Sequence, residues 1–256
     1  MPEASKSRYL VQASWDDVPH LSDKAKADLM ASTPHYMRDA RAKGIPSLGA
    51  GAIYPIPWED VSCDPFPIPD HWRRCYGLDV GWNRTAAMWK AEDPITGVIY
   101  SYSEYYGAKA VPLIHAEAIK ARGAWIRGAI DPASRGRSQV DGKRLAAEYT
   151  DLGLALTMAE NAVEAGLDHN WMLLSTRRHI YFNTLTNTER EYRLYRRVRK
   201  QDENGVTTVK IVKKDDHLMD ADRYGLMTFD KIARVRPAED RESVAFTGAA
   251  DPKAGY

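Results

Sequence analysis

Three aspartates in this chain stand where metal-assisted chemistry would use them. Asp79 interrupts an apolar run, Tyr76-Gly77-Leu78-Asp79-Val80-Gly81-Trp82. A carboxylate in a central strand is costly to desolvate unless it is paired or metal-bound. Asp131 follows the apolar stretch Ile126–Ile130 and precedes Pro132. That places it at the carboxyl edge of a strand, where ligand sites of α/β sheets collect. Asp220 lies in Asp215-Asp216-His217-Leu218-Met219-Asp220-Ala221-Asp222-Arg223-Tyr224. On a helix, Asp216 and Asp220 share a face at i, i+4, and Asp222 points elsewhere. Hard cations such as Mg²⁺ or Mn²⁺ take oxygen ligands. Two of them about 3.5–4 Å apart clamp the attacking and leaving oxygens of an in-line phosphoryl displacement. Without metal, clustered carboxylates repel and raise one another's pKa. Each acid also has a plainer reading: Asp79 paired with Arg73, Arg74 or Arg84, Asp131 in an Asx-turn, and Asp220 on a helix surface. The order strand, strand, helix is what joins them.

Around these acids the charge is uneven. Between Arg177 and Lys214 there are eleven Lys or Arg and four Asp or Glu, against a net charge of +1 for the whole chain. A basic segment in an otherwise acidic chain is a candidate phosphate-facing surface, with a solvated helix face and hairpin as the plain alternative. The candidate phosphate contacts are Arg193, Arg196, Arg197, Arg199 and Lys200 on one hairpin strand, with Lys210, Lys213 and Lys214 on the other. Side-chain alternation puts Arg197 and Arg199 on one face and Arg196 on the opposite one, so not all can meet one duplex. Arg135 and Arg137 follow Asp131 closely enough to position a phosphate. No base-reading module is visible, so little sequence preference is expected.

The elements that would position these groups follow from turn signals and periodicity. Ser22 caps a helix from about Asp23 to Lys43, ended by Gly44 and Pro46. The glycines and prolines that follow argue for an extended linker, so residues 1–70 are assigned to a linker and 71–234 to a domain. Strands are expected over Cys75–Val80, Thr85–Lys90, Val98–Tyr105, Trp125–Ile130 and Leu154–Met158. Helices are expected over Pro112–Arg122, Val140–Leu152, Leu167–Arg178 and His217–Phe229. Tyr192–Lys200 and Val206–Val212 flank Asn204-Gly205, a hairpin turn. Antiparallel strands followed by strands alternating with helices make a mixed α/β sheet. Residues 235–256 form a polar, frayed tail.

Composition narrows the function classes. The chain has 256 residues, 44% apolar and 28% charged, close to globular averages. No apolar run approaches a membrane span and the N-terminus is no signal peptide. Two cysteines, Cys63 and Cys75, cannot frame a disulfide scaffold, so a reducing setting is expected. There is no complete phosphate-cradling ATPase loop, no HExxH and no GxSxG.

Four stretches together resemble the C-terminal nuclease part of the large terminase subunit of tailed phages. They are the segment from Ala13-Ser14-Trp15 through Arg38–Pro46 and Leu48–Pro55, the run Tyr76–Trp82, the run Ala129-Ile130-Asp131-Pro132-Ala133-Ser134, and Leu185-Thr186-Asn187 leading through the Arg-rich hairpin to Asp216–Tyr224. The likeness spans about residues 11–230. It implies a ribonuclease H-like fold and a two-metal endonuclease that cuts concatemeric viral DNA. Asp79, Asp131 and Asp220 would be its catalytic, Mg²⁺- or Mn²⁺-binding acids. Asp216 stands in reserve for the third place, and His217 would orient a ligand or contact phosphate. The implied partners are double-stranded DNA, a packaging-ATPase domain preceding residues 1–70 in a longer protein, the portal and the small terminase subunit. The implied place is the host cytoplasm at the portal vertex. With no heptad evident, the isolated domain is expected to be monomeric. Two alternatives compete: another ribonuclease H-like nuclease of the junction-resolvase or transposase type, and a non-catalytic docking module for portal or small subunit.

Overall fold

The computed structural model describes residues 14–18, 20–33, 42, 51–81, 83–135, 145–201 and 207–238, with the backbone alone for Asp16, Ser32, Arg135, Arg199, Lys200, Gln201 and Thr207. Trp82, Arg137, the Asn204-Gly205 turn and most of the expected tail lie outside the described residues. The expected first helix is α1 (Asp23–Ser32), whose Ser22 cap accepts from the Ala25 amide; it stops at Thr33, an extended C-cap residue, short of the expected Lys43, and residues 34–41 and 43 lie outside the described residues.

The centre is a seven-stranded mixed sheet in the order β1-β7-β4-β3-β2-β5-β6. Its spine is β2 (Arg73–Asp79), β3 (Thr85–Glu92) and β4 (Ile99–Gly107), an antiparallel meander. β5 (Arg127–Ile130) and β6 (Leu156–Met158) add in parallel beyond β2. The five thus run third, second, first, fourth, fifth in chain order, the mixed arrangement expected of a ribonuclease H-like sheet. On the other side, β7 (His179–Phe182) joins β4 in parallel and β1 (Ser62–Cys63) joins β7.

β7 was not expected. It is a four-residue run, wholly buried, whose pairing partners are more than 70 residues away in sequence on the β4 side and more than 100 on the β1 side. A short buried strand with only non-local partners leaves no alternation to read. Residues 51–70, assigned to a linker on their proline content, supply β1, and they bury Ile53, Tyr54, Trp58 and Val61 in the main core. The prolines keep this segment extended, and the apolar residues between them dock it.

Helices cover both faces. α2 (Pro112–Lys120) and α3 (Leu145–Asp151) pack on the face presented by Tyr76, Leu78, Ala87 and Trp89. α4 (Val163–Ser175) and α6 (His217–Ile232) cover the opposite face, where Ala86 and Met88 meet Leu167, Leu218 and Ala221. Strand alternation makes this division: odd-numbered residues of β2 face α6 and even ones face away. Gly77 shows why α6 lies so close. A Cβ there would stand 1.8 Å from the Ala221 carbonyl oxygen, so helix and strand backbones touch.

The expected strand over Tyr192–Lys200 is corrected. Tyr192–Leu194 close a helix, α5 (Thr186–Leu194), and the hairpin strands are β8 (Arg197–Gln201) and β9 (Thr207–Ile211). α5 has a polar sequence that hides its buried stripe, Thr188, Glu191 and Tyr192, which the buried C-cap residue Tyr195 extends. Its N-terminal amides have no cap of their own. The Glu104 carboxylate on β4 accepts from the amides of Asn187 and Thr188 at 3.0 and 2.9 Å. A cap supplied from 83 residues away is invisible to local reading.

Candidate active site

The sheet's central carboxyl edge and the start of α6 meet at one place. Asp79 ends β2, Asp131 follows the adjacent parallel β5, and the Asp131 amide donates to the Leu78 carbonyl at 3.0 Å. The chain enters α6 through Asp215, held at φ 53°, and Asp216 at the N-cap. The first turn of α6 is tied down by Glu191, which is fully buried on α5. One oxygen of Glu191 accepts from the Leu218 amide at 2.6 Å, and the other accepts from the Tyr106 hydroxyl at 2.5 Å.

The three expected acids and the accessory histidine come together there. His217 Nδ1 lies 2.8 Å from Asp79 Oδ2. Burial pushes the Asp79 carboxyl above its ordinary value. The nearby Asp220 and Asp131 charges push the same way, and together these outweigh the His217 contact. The same contact, chiefly the hydrogen bond that the imidazole donates to Asp79, raises the His217 imidazole. Asp131 Oδ1 accepts from the Tyr224 hydroxyl and from the Ala133 amide, each at 3.0 Å. Burial raises the Tyr224 phenol, and the charges of Asp220 and Asp131 add to it. Asp220 Oδ2 accepts from Lys213 Nζ at 2.8 Å, and its Oδ1 accepts from Arg223 Nη2 at 3.0 Å. Lys213 also stands 3.0 Å from Asp216. Although partial burial works against it, Asp220 and then Asp216 keep the Lys213 ammonium charged.

Among the described residues, no three or more Asp, Glu, His or Cys side chains stand close enough together to hold a metal ion. A nitrogen or hydroxyl donor engages each acid: His217 at Asp79, Tyr224 at Asp131, and Lys213 with Arg223 at Asp220. The donor set is nonetheless all oxygen, which suits a hard divalent cation. The Lys213 ammonium between Asp216 and Asp220 marks where this site takes positive charge.

The expected DNA contacts are placed less uniformly. Arg193 is held by Glu59 and Glu189 at 2.7 and 2.8 Å, and Arg197 by Glu164 at 2.5 Å. Lys213 is turned into the acid cluster. Arg196, Lys210 and Lys214 are exposed. The side chains of Arg135, Arg199 and Lys200 lie outside the described residues, as does Arg137.

Sequence reasoning missed Glu191, Tyr106, Arg223 and Tyr224 as parts of this site. It also missed a second polar centre behind it. Asp222 is fully buried and ion-paired with the equally buried Lys90 of β3. Its carboxylate also accepts from Tyr181 at 2.9 Å, Asn170 at 3.1 Å and Ser101 at 3.3 Å. His179 Nδ1 donates to Asn170 Oδ1 at 2.7 Å and completes the ring of partners. The available signal was Lys90 itself, a lysine inside the apolar strand Met88-Trp89-Lys90-Ala91.

No family model matches the chain. Over 236 residues it is 34% identical to the large terminase subunits of Enterobacteria phage LP7 and Salmonella phage P22, covering 87% of this chain and 47% and 45% of those proteins. The chain therefore spans about half the length of the curated relatives it matches. The solved large-terminase nuclease domain of P22 superposes with a TM-score of 0.62 at 31% identity, covering 73% of this chain and 96% of that domain. The match to nearly the whole of that domain, at this identity and in this fold, shows that the chain belongs to the nuclease-domain family of the phage large terminase subunit.

Proposed function

We propose that this chain is a metal-dependent DNA endonuclease that cuts concatemeric viral DNA during genome packaging. The observation that carries this reading is the convergence of Asp79, Asp131 and Asp220, from two strand ends and one helix, at one edge of the sheet. Asp79, Asp131 and Asp220 would hold a pair of Mg²⁺ or Mn²⁺ ions, with Asp216 beside them. The ions would supply charge neutralisation at the phosphoryl group and a water acidic enough to attack.

The chain's own residues do the rest. His217 orients Asp79. Tyr224 and the Ala133 amide orient Asp131. Lys213 and Arg223 aim Asp220 through hydrogen bonds to its two oxygens. The duplex is held through phosphates by exposed cations, including Arg196, Lys210 and Lys214, without base readout. Packaging itself belongs to the longer protein, through an ATPase domain, the portal and the small subunit, at the portal vertex in the host cytoplasm. Among the described residues, no helix is long and apolar enough to cross a membrane.

Supercoiled plasmid incubated in Mg²⁺, in Mn²⁺ and in chelator tests the reading. Cleavage should require metal. Asp79→Ala, Asp131→Ala and Asp220→Ala should each lower it by at least about a thousandfold, given the size of lost metal and charge stabilisation. If Asp220→Ala alone stays active, Asp216 is the third ligand. If the intact chain leaves plasmid uncut in both metals, the docking-module reading takes its place.

A further inference from the structure

Two arginines not among the candidates above share one aromatic ring at the rim of this site. Arg84 lies on the loop that leaves Asp79, with its guanidinium carbon 4.2 Å from the Tyr106 ring centre. Arg190, on α5, stands 5.6 Å from the same ring. Among the described residues, neither guanidinium has a hydrogen bond or ion pair to a carboxylate. This separates them from Arg193, Arg197 and Lys213, which are all taken by acids. Arg84 is half-buried and Arg190 exposed, so both remain open to a ligand.

Register places the ring. Asp79 pairs with Ala86, and Ala86 pairs with Tyr106, so the three form one cross-strand row. With neighbouring strands about 4.8 Å apart, Tyr106 lies about 10 Å from Asp79, within a few phosphates along one DNA strand. The Tyr106 hydroxyl is anchored on buried Glu191, which itself holds the first turn of α6. The platform is therefore rigidly joined to the catalytic edge. A guanidinium on an aromatic face keeps its N–H edge free to donate, and that edge matches phosphate oxygens. Each guanidinium lies within cation–π range of the ring, and neither is bonded to a carboxylate among the described residues.

We infer that Arg84 and Arg190, seated on Tyr106, form a phosphate clamp for the DNA strand adjacent to the cleavage edge. The inference rests on the nuclease reading for its substrate class, but its test does not need cleavage. Binding of the full chain to a 30-base-pair duplex would be measured in chelator across a range of NaCl concentrations. Each arginine that neutralises a phosphate should contribute about 0.9 to the slope of log affinity against log salt. Arg84→Gln and Arg190→Gln should each lower the slope by roughly that amount, and the double variant by about twice as much. Arg84→Lys, which keeps the charge, should restore most of it. Lys231→Gln, at a lysine paired with Glu160 on the far end of α6, should leave the slope alone.

An unchanged slope in the folded double variant overturns the clamp. So does an equal loss in Lys231→Gln, which would mean diffuse charge and no site. Adding inorganic phosphate at constant ionic strength tests the site by competition. Inorganic phosphate competes for the same guanidinium edges, so displacement of duplex from wild type in excess of that from the double variant supports the clamp. Equal displacement from both would place the competition elsewhere and overturn the assignment. A chain that shows the slope changes and never cuts plasmid sinks the nuclease reading alone. One that cuts with unchanged slopes sinks the clamp alone.

Discussion

Asp220 and Asp222 sit two residues apart on α6 and lead opposite lives. A step of two residues turns about 200° around a helix, so one carboxylate faces the sheet's catalytic edge and the other faces its interior. Asp220 is partly exposed, shares its region with Asp79 and Asp131, and is balanced by Lys213 and Arg223. Asp222 is sealed among Lys90, Ser101, Asn170, His179 and Tyr181. Burial opposes its ionisation, yet the Lys90 ammonium pulls its carboxyl below the ordinary value. The first arrangement leaves its charge within reach of solvent, with the exposed Lys213 as one of its partners. The second resolves charge completely, using groups from β3, β4, β7 and α4, and so sets the rotation and height of α6. A helix that must present acids at one edge is locked by an acid on its other face.

That comparison breaks most visibly at the buried side. Asp222→Ala strands the Lys90 charge and should cost about 3–5 kcal/mol of stability, measured by urea denaturation. A cost below about 1 kcal/mol would show that the buried pair locks nothing. Next comes the seam that both faces share. Gly77→Ala would drive a methyl into the Ala221 carbonyl and lift α6 from β2. It should lose about 1–3 kcal/mol and lose cleavage disproportionately, because the edge acids shift with the helix. Wild-type cleavage in a destabilised Gly77→Ala would uncouple seam and site.

The interior also predicts a pH slope. Burial, with Lys90 adding to it, pushes the His179 imidazole down to about 3. The unfolded chain therefore takes up a proton near 6.5 that the folded chain refuses. Stability from this group is full above about pH 6.5 and falls as pH drops towards 3, by up to about 1.4 kcal/mol per unit. Thermal melts at pH 6.5 and 5 should show that fall, and His179→Gln should flatten it. The smallest effect is expected at the edge. Asp79 carries a raised pKa, so its ionised form is disfavoured in the fold. Asp79→Asn should raise stability by up to about 1 kcal/mol near neutral pH without metal, while abolishing cleavage. A loss of stability there would mean that the edge acids serve the fold as well.

Much of this was legible in local sequence. The meander from β2 to β4, the β5 and β6 strands, α6 and the three edge acids all announce themselves by apolar alternation, turn residues and acids at strand ends. The hidden parts share one property: their stabilising partners are distant. α5 is capped by Glu104, β7 is held between β1 and β4, and the prolines before His71 are docked through aromatic residues on the core. Among the expected DNA contacts, Arg193 and Arg197 looked free in sequence because Glu59 and Glu164 are far from them along the chain.

The sequence by itself determined which residues are candidates for the chemistry, because a carboxylate inside an apolar strand and a hairpin crowded with arginine are improbable without a use. Only the tertiary structure decided which charges remain available. Pairing depends on distance through space, falls off within a few ångströms of water, and is set by whichever element packs alongside. Arg84 and Arg190 emerge as open cations, and Asp222 as a lock, only once β3, β4, α5 and α6 have been brought together.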